Sequence, residues 1–216
     1  MLCEICGRET CDCLLTNREY LLRKIGKTMC TLPIGEKVAV PSVNSGGELT
    51  NFFCDGKPDP DNPLNYYPTP HRVIAGLLDR EQFKGTILEP AAGEGHIVDV
   101  LCNEGYTVVA SDKKDGVDFY DLHKRVANII TNPDFREADR FIRHALALAT
   151  DKVAMLLPWW MLEGNNHKDL WTTMPLKAIY FFSRRPQFTT ENKSVVVVFW
   201  AVWQHGYKRQ PTVGWL

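Results

Sequence analysis

The sequence predicts an α/β fold with a doubly wound, mostly parallel sheet, and three observations support this prediction. From residue 85 onward, apolar strand-like runs alternate with segments of helical periodicity, the order typical of βαβ units. A turn of small residues, E-P-A-A-G-E-G at positions 89–95, joins the first run to a helical segment. Near the C-terminus two strand-like runs follow one another without a helix between them, which predicts one antiparallel C-terminal strand.

The predicted elements of this fold follow one another closely. A first helix is expected to begin at Pro70 with Thr69 as its N-cap, because proline is tolerated at the first helical position. Strands are predicted at 86–89, 106–111, 128–131, 152–158, 177–183 and 193–203. Further helical segments are predicted at 96–104, 137–150 and 165–174.

Length and composition fit one α/β domain with a small appendage. The chain has 216 residues, of which 44% are hydrophobic and 24% charged, ordinary values for a globular protein. A proline-rich linker at 57–63 marks the boundary, so we assign residues 1–61 to an N-terminal segment with its linker and 62–216 to the α/β domain. No apolar run approaches the roughly 20 residues of a membrane span, and no secretory leader is visible. We therefore expect a cytoplasmic protein without a membrane partner.

The N-terminal segment is rich in cysteine. Four of the seven cysteines, Cys3, Cys6, Cys11 and Cys13, fall within the first 13 residues at C-x2-C-x4-C-x-C spacing. In a cytosolic chain this clustering favours a metal over disulfides, and four thiolates suit a structural Zn²⁺. Cys30 could replace one thiolate of the second pair. A reduced, flexible tail and an iron–sulfur site are the alternatives.

The turn at 89–95 has the character of a nucleotide-binding loop, but it departs from the phosphate-binding patterns. It has two glycines and no lysine, unlike the dinucleotide fingerprint and the P-loop. Glu89 and Glu94 would repel a pyrophosphate but suit a ligand with an ammonium group. Asp112 lies about 20 residues further on, the usual distance for a carboxylate that binds ribose hydroxyls. S-adenosylmethionine (SAM) has the adenosine and the ammonium and lacks a phosphate. The alternative is an α/β domain with an ordinary glycine turn.

A second motif, N-P-D-F at 132–135, follows the predicted strand 128–131. The amide oxygen of Asn132 and the carbonyl of Pro133 can both accept hydrogen bonds from one exocyclic NH₂. These bonds would free the nitrogen lone pair to attack a methyl sulfonium. Phe135 offers a ring on which a flipped-out base can stack. The alternative is an Asn-Pro turn that only ends a strand.

Taken in order, these motifs resemble those of the gamma-type amino methyltransferases, the adenine-N6 DNA methyltransferases and their phage-encoded relatives. The resemblance runs from about residue 66 to the C-terminus and includes Y-P-T-P at 67–70, the turn at 89–95, Asp112, D-F at 118–119 and N-P-D-F. It implies the Rossmann-like class I fold of SAM-dependent methyltransferases, N-methyl transfer, and a bacterial or phage-infected host cell.

The resemblance also implies two groups of site residues. The cofactor would be contacted by Tyr67, Thr69, Pro70, Glu89, Ala91, Gly93, Gly95, Asp112, Asp118 and Phe119. The target amine would be held by Asn132, Pro133, Asp134 and Phe135. Asp134 departs from the family, which has a second proline there. This carboxylate could assist proton removal, or it could mark a site that has lost activity.

The sequence therefore predicts SAM-dependent methyl transfer to an exocyclic amine of a nucleic-acid base, with adenine N6 in DNA favoured over RNA. RNA, cytosine N4 and protein glutamine are alternative substrates. A catalytically silent protein that binds SAM or nucleic acid is the alternative class. The net charge of −1 gives no overall basic excess for gripping phosphates, and no inserted recognition domain is visible. Sequence specificity is therefore expected to be short, or to come from a protein partner.

Two further features carry open alternatives. Trp159 and Trp160 follow the predicted strand 152–158 and could line the target pocket or pack the core. The segment S-R-R-P at 183–186 could contact a phosphate, or its arginines could be solvated surface charges.

Overall fold

The computed structural model describes residues 67–188 and 196–216. The predicted domain boundary after residue 61 and the four N-terminal cysteines lie outside these residues, so the boundary and the zinc site stay predictions. The described helices are α1 (His71–Arg80), α2 (His96–Asn103), α3 (Ala138–Leu148) and α4 (Lys168–Thr172). The described strands are β1 (Ile87–Glu89), β2 (Val108–Ala110), β3 (Val126–Thr131), β4 (Ala149–Pro158), β5 (Leu176–Phe181), β6 (Val198–Gln204) and β7 (Thr212–Trp215).

These strands form one sheet in the order β2-β1-β3-β4-β6-β5-β7. Within the described ranges, β6 runs antiparallel to both of its neighbours and the other strands are parallel to one another. This arrangement confirms the predicted α/β fold class, a doubly wound, mostly parallel sheet with one antiparallel strand near the C-terminus. Because the carboxyl ends of parallel strands share an edge, the segments after β1, β2, β3 and β4 all begin at the same edge of the sheet.

The sheet is buried on both faces, as parallel sheets usually are. One apolar core contains side chains of α1 and α2 together with Ile130 and Trp200. The other contains side chains of α3 and α4 together with Ile129 and Trp203. Neighbouring residues of one strand thus serve opposite faces. No helix among the described residues has the length and apolarity needed to span a membrane.

Two buried tryptophans of β6 fix helices on opposite faces of the sheet. The indole N–H of Trp200 donates to the Val73 carbonyl of α1 at 2.9 Å. The indole N–H of Trp203 donates to the Leu170 carbonyl of α4 at 3.0 Å. Each bond pairs an indole N–H that would otherwise be an unsatisfied donor inside an apolar core. Because the bond is directional, it fixes where the helix lies along the sheet as well as its distance from the sheet.

The structure differs from the predicted elements at several points. Strand β4 begins at Ala149, inside the predicted helix 137–150, and β6 begins at Val198, later than the predicted start at residue 193. Helix α1 begins at His71, and Pro70 is the residue before it. Thr69 therefore does not cap the helix; its hydroxyl accepts a hydrogen bond from a distant side chain, described below. Strand β7 was not predicted, because its four residues include Gly214 and show no alternation of buried and exposed side chains. It pairs in parallel with β5.

A buried ionic network lies directly after α1. The carboxylate of Glu81, which is 1% exposed, accepts hydrogen bonds from Lys152 at 2.8 Å, from Lys177 at 2.6 Å and from the Tyr180 hydroxyl at 2.9 Å. Burial alone would raise the pKa of Glu81, but the two ammonium groups outweigh burial and the pKa is lowered. Since Lys152 lies on β4 and Lys177 on β5, the network joins the end of α1 to two strands.

We expect Glu81→Gln to lower the free energy of unfolding by about 3 kcal/mol, because removing one partner of a buried ion pair leaves the other charge uncompensated. Urea denaturation at pH 7 measures this change. The matched control is Glu104→Gln, an exposed carboxylate whose replacement should change stability by less than about 0.5 kcal/mol. Equal, small effects of both substitutions would contradict the structural role of the network.

Candidate active site

The glycine turn connects β1 to α2 through two left-handed residues. Gly93 has a φ of 54° and Gly95 a φ of 92°, values that a side chain makes costly. The turn is closed by a 2.7 Å hydrogen bond from the Gly95 amide to the Ala92 carbonyl. Gly95 directly precedes α2. The first backbone N–H groups of that helix therefore lie at this turn.

Asp112 joins the glycine turn to the end of β2. One carboxylate oxygen accepts the Gly93 amide at 2.7 Å, and the other accepts the Lys114 amide at 2.9 Å. The Ala92 amide also donates to the Ser111 carbonyl at 3.0 Å. The structure thus brings together the turn at 89–95 and the acid predicted to bind a ribose. The two lie 19 residues apart in the chain.

Glu89, the last residue of β1, is fully buried. One of its carboxyl oxygens accepts the Ala91 amide at 3.0 Å, and the other has no hydrogen-bond partner. Burial raises the pKa of Glu89 to about 8, and the nearby Thr131 hydroxyl and the Ala91 N–H only partly offset this. At neutral pH the carboxyl is therefore mostly protonated. Glu94, by contrast, is exposed at the tip of the turn.

Asn132 lies at the carboxyl end of β3, and its side chain is oriented by the segment before α1. Its amide nitrogen donates to the Thr69 hydroxyl at 3.1 Å and to the Tyr67 carbonyl at 3.4 Å. Because both partners are on one side, the amide oxygen points away from them. That oxygen is buried and has no hydrogen-bond donor. Pro133, the next residue, is buried as well.

Asp134 is engaged by the arginine two residues later. Its carboxylate accepts the backbone N–H of Arg136 at 3.0 Å and the Arg136 Nε at 3.0 Å. It thereby caps the short 3₁₀ turn Phe135–Glu137. The ion pair raises the pKa of Arg136. The carboxylate that replaces the family's second proline is thus charge-balanced and fixed in place.

Aromatic rings line the sheet edge after β3 and β4. The half-buried ring of Phe135 meets Trp160 edge-on, with 6.2 Å between the ring centres, and Trp160 meets Trp159 in the same manner at 6.4 Å. Trp159 is 48% exposed. The rings therefore run from beside Asn132 out to solvent.

The D-F motif at 118–119 divides between surface and core. Asp118 accepts the Tyr120 amide and pairs with Lys113, each at 3.0 Å. Burial would raise the pKa of Asp118, but these two contacts lower it. The Phe119 ring is buried and packs against Phe141, with 4.3 Å between the ring centres.

The structure therefore places the predicted site residues in three places. Glu89, Ala91, Gly93, Gly95 and Asp112 meet around the glycine turn. Tyr67, Thr69 and Asn132 meet at the end of β3. Since β1 and β3 are adjacent and parallel, these two groups lie side by side at one edge of the sheet. The Phe119 ring lies apart from both, in the core with α3.

Two functional contacts were not predicted. The bond between Thr69 and Asn132 spans 63 residues, and no local pattern encodes such a pairing. Arg136, the partner of Asp134, was also missed. The sequence D-F-R at 134–136 could have predicted this contact, because an aspartate at the start of a turn can accept hydrogen bonds from the residue two positions later.

Comparisons with known proteins found matches among solved structures only. No family model and no curated protein matches this chain. Solved structures do match, among them a provisionally described modification subunit of a type I restriction enzyme from Vibrio vulnificus, with a TM-score of 0.48 and 12% identity over 68% of this chain. This chain spans only 45% of that subunit.

Two further solved structures are methyltransferases by description. One is a provisionally described class I SAM-dependent methyltransferase from Listeria monocytogenes, with a TM-score of 0.49 and 14% identity over 70% of this chain and 67% of that one. The other is magnesium protoporphyrin IX methyltransferase from Synechocystis PCC 6803 with bound SAM, with a TM-score of 0.43 and 15% identity over 62% of this chain and 76% of that one. Similarity at this level concerns the fold, so the function has to be argued from the residues of the site.

The raised pKa of Glu89 gives a testable dependence of stability on pH. The folded protein keeps this proton up to about pH 8, whereas the unfolded chain releases it near the ordinary carboxyl pKa. The free energy of unfolding should therefore fall as pH rises from 5 to 8, by up to about 1.4 kcal/mol per pH unit. Urea denaturation at pH 5, 6, 7 and 8 measures the slope.

Glu89→Gln has no proton to release, so its slope should be flatter over the same range. Glu94→Gln, in the exposed part of the same turn, is the matched control and should keep the wild-type slope. If all three proteins gave the same slope, Glu89 would titrate like an ordinary carboxyl and the burial argument would be wrong.

Proposed function

We propose that this protein is a SAM-dependent methyltransferase that acts on an exocyclic amino group of a nucleic-acid base, with adenine N6 in DNA as the first substrate. The observation that carries the proposal is the Asn132 amide. Its NH₂ is engaged by Thr69 and Tyr67, and its oxygen is buried without a donor. An unpaired buried acceptor costs stability, and an exocyclic amine would supply the missing N–H.

The residues around the glycine turn fit SAM. The left-handed Gly93 and Gly95 let the backbone come close to a ligand. Glu89 offers a buried carboxyl with one unpaired oxygen, and a bound ammonium group would favour its charged form. Asp112 offers a carboxylate for ribose hydroxyls. When bound, SAM would supply an electrophilic methyl group. The other cofactor contacts are proposed on the family resemblance alone: Tyr67, Thr69, Pro70, Ala91, Asp118 and Phe119.

Asn132 would act on the amine as a hydrogen-bond acceptor. Its amide oxygen and the Pro133 carbonyl would each accept one N–H of the target NH₂. This would draw the nitrogen towards tetrahedral geometry and free its lone pair for a bond to the methyl carbon, whose S–C bond would break and leave its electron pair on sulfur. No base has to act first, because the nitrogen becomes acidic only after it gains the methyl group. The proton then leaves to solvent.

Asp134 is compatible with this chemistry. A carboxylate paired with a guanidinium is a poor base, so the Arg136 contact argues against a role for Asp134 in proton removal. The same contact stiffens the turn, where the family uses a second proline. The Asp134 side chain, by capping the turn Phe135–Glu137, would thus provide the rigidity that the second proline gives the backbone in the family.

The aromatic rings beside Asn132 support a flipped-out base as the substrate. Phe135 is half-buried and Trp160 meets it edge-on, so a planar ring entering between them and Asn132 would find apolar surface. Base flipping requires such a surface, because the extruded base loses its stacking in the nucleic acid. This favours a base over the small, flexible amide of a protein glutamine.

One observation favours the second candidate, a catalytically silent protein that binds SAM or nucleic acid. The Asn132 oxygen is inaccessible to solvent in this conformation, so a target amine reaches it only after neighbouring side chains move. If they do not move, the fold would bind its ligands without transferring a methyl group. Both functions would be compatible if a protein partner opened the site and supplied sequence specificity: the protein would be silent alone and active in the complex.

We expect Asn132→Ala to lower kcat at least about 100-fold, the usual loss for one preorganised polar contact in a transition state. Thr69→Val should lower kcat about tenfold, because Asn132 stays but is no longer oriented. Transfer of labelled methyl from SAM to DNA and RNA oligonucleotides measures both effects. Calorimetric titration should find the SAM affinity of Asn132→Ala changed by less than about twofold, since Asn132 holds the amine.

The control is Asn103→Ala, an exposed asparagine at the end of α2, which should keep wild-type activity. Retained activity in Asn132→Ala would exclude the proposed role. A wild-type protein that binds SAM and methylates no polymer would instead support the silent alternative.

We also propose that Cys3, Cys6, Cys11 and Cys13 bind a structural zinc ion. Among residues 67–188 and 196–216, no group of three or more His, Cys, Asp or Glu side chains could hold a metal. Elemental analysis should find about one zinc per chain, absent from a Cys3→Ser, Cys6→Ser double variant and retained in Cys102→Ser. If this segment recognises nucleic acid, chelation should weaken oligonucleotide binding more than SAM binding. Equal loss of both would indicate a purely structural metal.

A further inference from the structure

A short turn directly after β4 carries two exposed apolar side chains. The 3₁₀ turn Trp159–Leu162 begins where the strand ends, at Pro158. Trp159 is 48% exposed and Leu162 is 38% exposed. Single exposed apolar residues are common, but two on one turn make a contiguous patch. Because residues three apart in a 3₁₀ turn lie on the same face, these two side chains form one apolar ridge.

The backbone beneath this ridge is fixed by contacts with the rest of the domain. The Trp159 amide donates to the Val197 carbonyl at 2.9 Å. Met161, which lies between the two exposed residues, is buried, and its carbonyl accepts the indole N–H of Trp171 at 2.7 Å. The turn is thus anchored at its first residue and near its end. Insertion of the ridge into another molecule would therefore cost little conformational entropy.

Aromatic rings connect the ridge to Asn132. Phe135 lies three residues after Asn132. Phe135 meets Trp160 edge-on with 6.2 Å between the ring centres, and Trp160 meets Trp159 in the same manner at 6.4 Å. Since β3 and β4 are parallel neighbours, the turns that follow them begin at the same edge of the sheet. The ridge therefore adjoins the place where the target base would be held.

Extrusion of a base from a duplex leaves a gap in the stack. The flipped base and its former neighbours lose stacking, which makes extrusion costly. An apolar side chain that enters the stack replaces part of this contact, and nucleic-acid-binding proteins use residues such as phenylalanine and leucine as wedges of this kind. An indole offers a larger aromatic face than phenylalanine does. An exposed, anchored tryptophan beside the extrusion site has the properties that such a wedge needs.

We propose that Trp159, supported by Leu162, enters the nucleic-acid duplex and fills the gap that the target base leaves. The inference rests on the proposed function, because it takes a flipped-out base as the substrate. A protein partner is the other occupant to consider. Two side chains offer far less than the roughly 800 Å² that each partner buries in a stable protein interface, whereas the gap of one base is a space for one aromatic ring. Trp159 is thus a positioning residue that holds the duplex open.

Fluorescence anisotropy with two short, labelled DNA duplexes tests the wedge, one duplex intact and the other with a single abasic site. The wild type should bind the abasic duplex at least about tenfold more tightly, because the gap exists there without extrusion of a base. Trp159→Ala should bring the two affinities to within about twofold, since it removes the stacking ring. Trp159→Phe should keep most of the preference, because a smaller aromatic ring can still stack.

The matched control is Trp215→Ala, which removes another exposed tryptophan. Trp215 is 58% exposed and lies on β7, the third strand along the sheet from β4, so this variant should keep the wild-type preference. Urea denaturation establishes that all variants are folded. The proposal is overturned if the wild type binds both duplexes equally, or if Trp159→Ala keeps the preference. A change in oligomeric state with unchanged DNA binding would identify a protein-docking surface and overturn the proposal as well.

Failure of the wedge and failure of the proposed function give different results. If both proposals hold, Trp159→Ala should lower kcat/KM for duplex DNA about tenfold. It should leave SAM affinity and transfer to a single-stranded oligonucleotide unchanged, because a single strand needs no gap to be filled. A wild type that transfers no methyl group but prefers the abasic duplex would contradict the proposed function and support the wedge. If Trp159→Ala methylates duplex and single strand like the wild type, the wedge proposal alone is wrong.

Discussion

The orientation of the Asn132 amide depends on two hydrogen bonds, to the Thr69 hydroxyl and the Tyr67 carbonyl, and much of the surrounding structure keeps Thr69 in place. Thr69 lies two residues before α1, which begins at His71, so its position follows that of the helix. Trp200 fixes the helix near its start, and Glu81 fixes the chain directly after its end. The tertiary contacts at both ends of α1 therefore determine where Thr69 lies, and through it the direction in which the Asn132 amide oxygen points. Precise sites need such support, since an active group held loosely loses most of its effect.

Each acidic residue of the site is protonated, hydrogen-bonded or ion-paired within the protein itself. Glu89 keeps its proton because it is buried, Asp112 accepts two backbone N–H groups, and Asp134 is paired with Arg136. Three carboxyl groups thus lie at one sheet edge without strong mutual repulsion. Two of them retain the capacity to change partners, since Glu89 has an unpaired oxygen and Asp112 is held by backbone groups that a ligand can replace.

The sequence predicted the parts of the molecule that local patterns encode. Apolar runs specified β1, β2, β3 and β5 to within about two residues at each end, β4 and β6 closely only at their C-terminal ends, and the glycine turn specified the junction of β1 with α2. Strand β7 was missed because its edge position leaves Val213 and Trp215 exposed, so burial imposes no pattern on it. The Thr69–Asn132 bond was missed for a different reason, since it depends on how α1 packs. Motif similarity grouped the right residues, but it could not tell that Phe119 packs inside the core.

The reversed direction of β6 has a consequence for how this protein can diverge. Pro158 pairs with Val198 and Phe181 pairs with Phe199, so the end of β4, the end of β5 and the start of β6 converge at the edge that carries the candidate site. Chain can be lengthened or exchanged at these three ends without shifting the register of any strand. Selection can therefore alter which molecules enter the cleft while the sheet and its two cores stay the same.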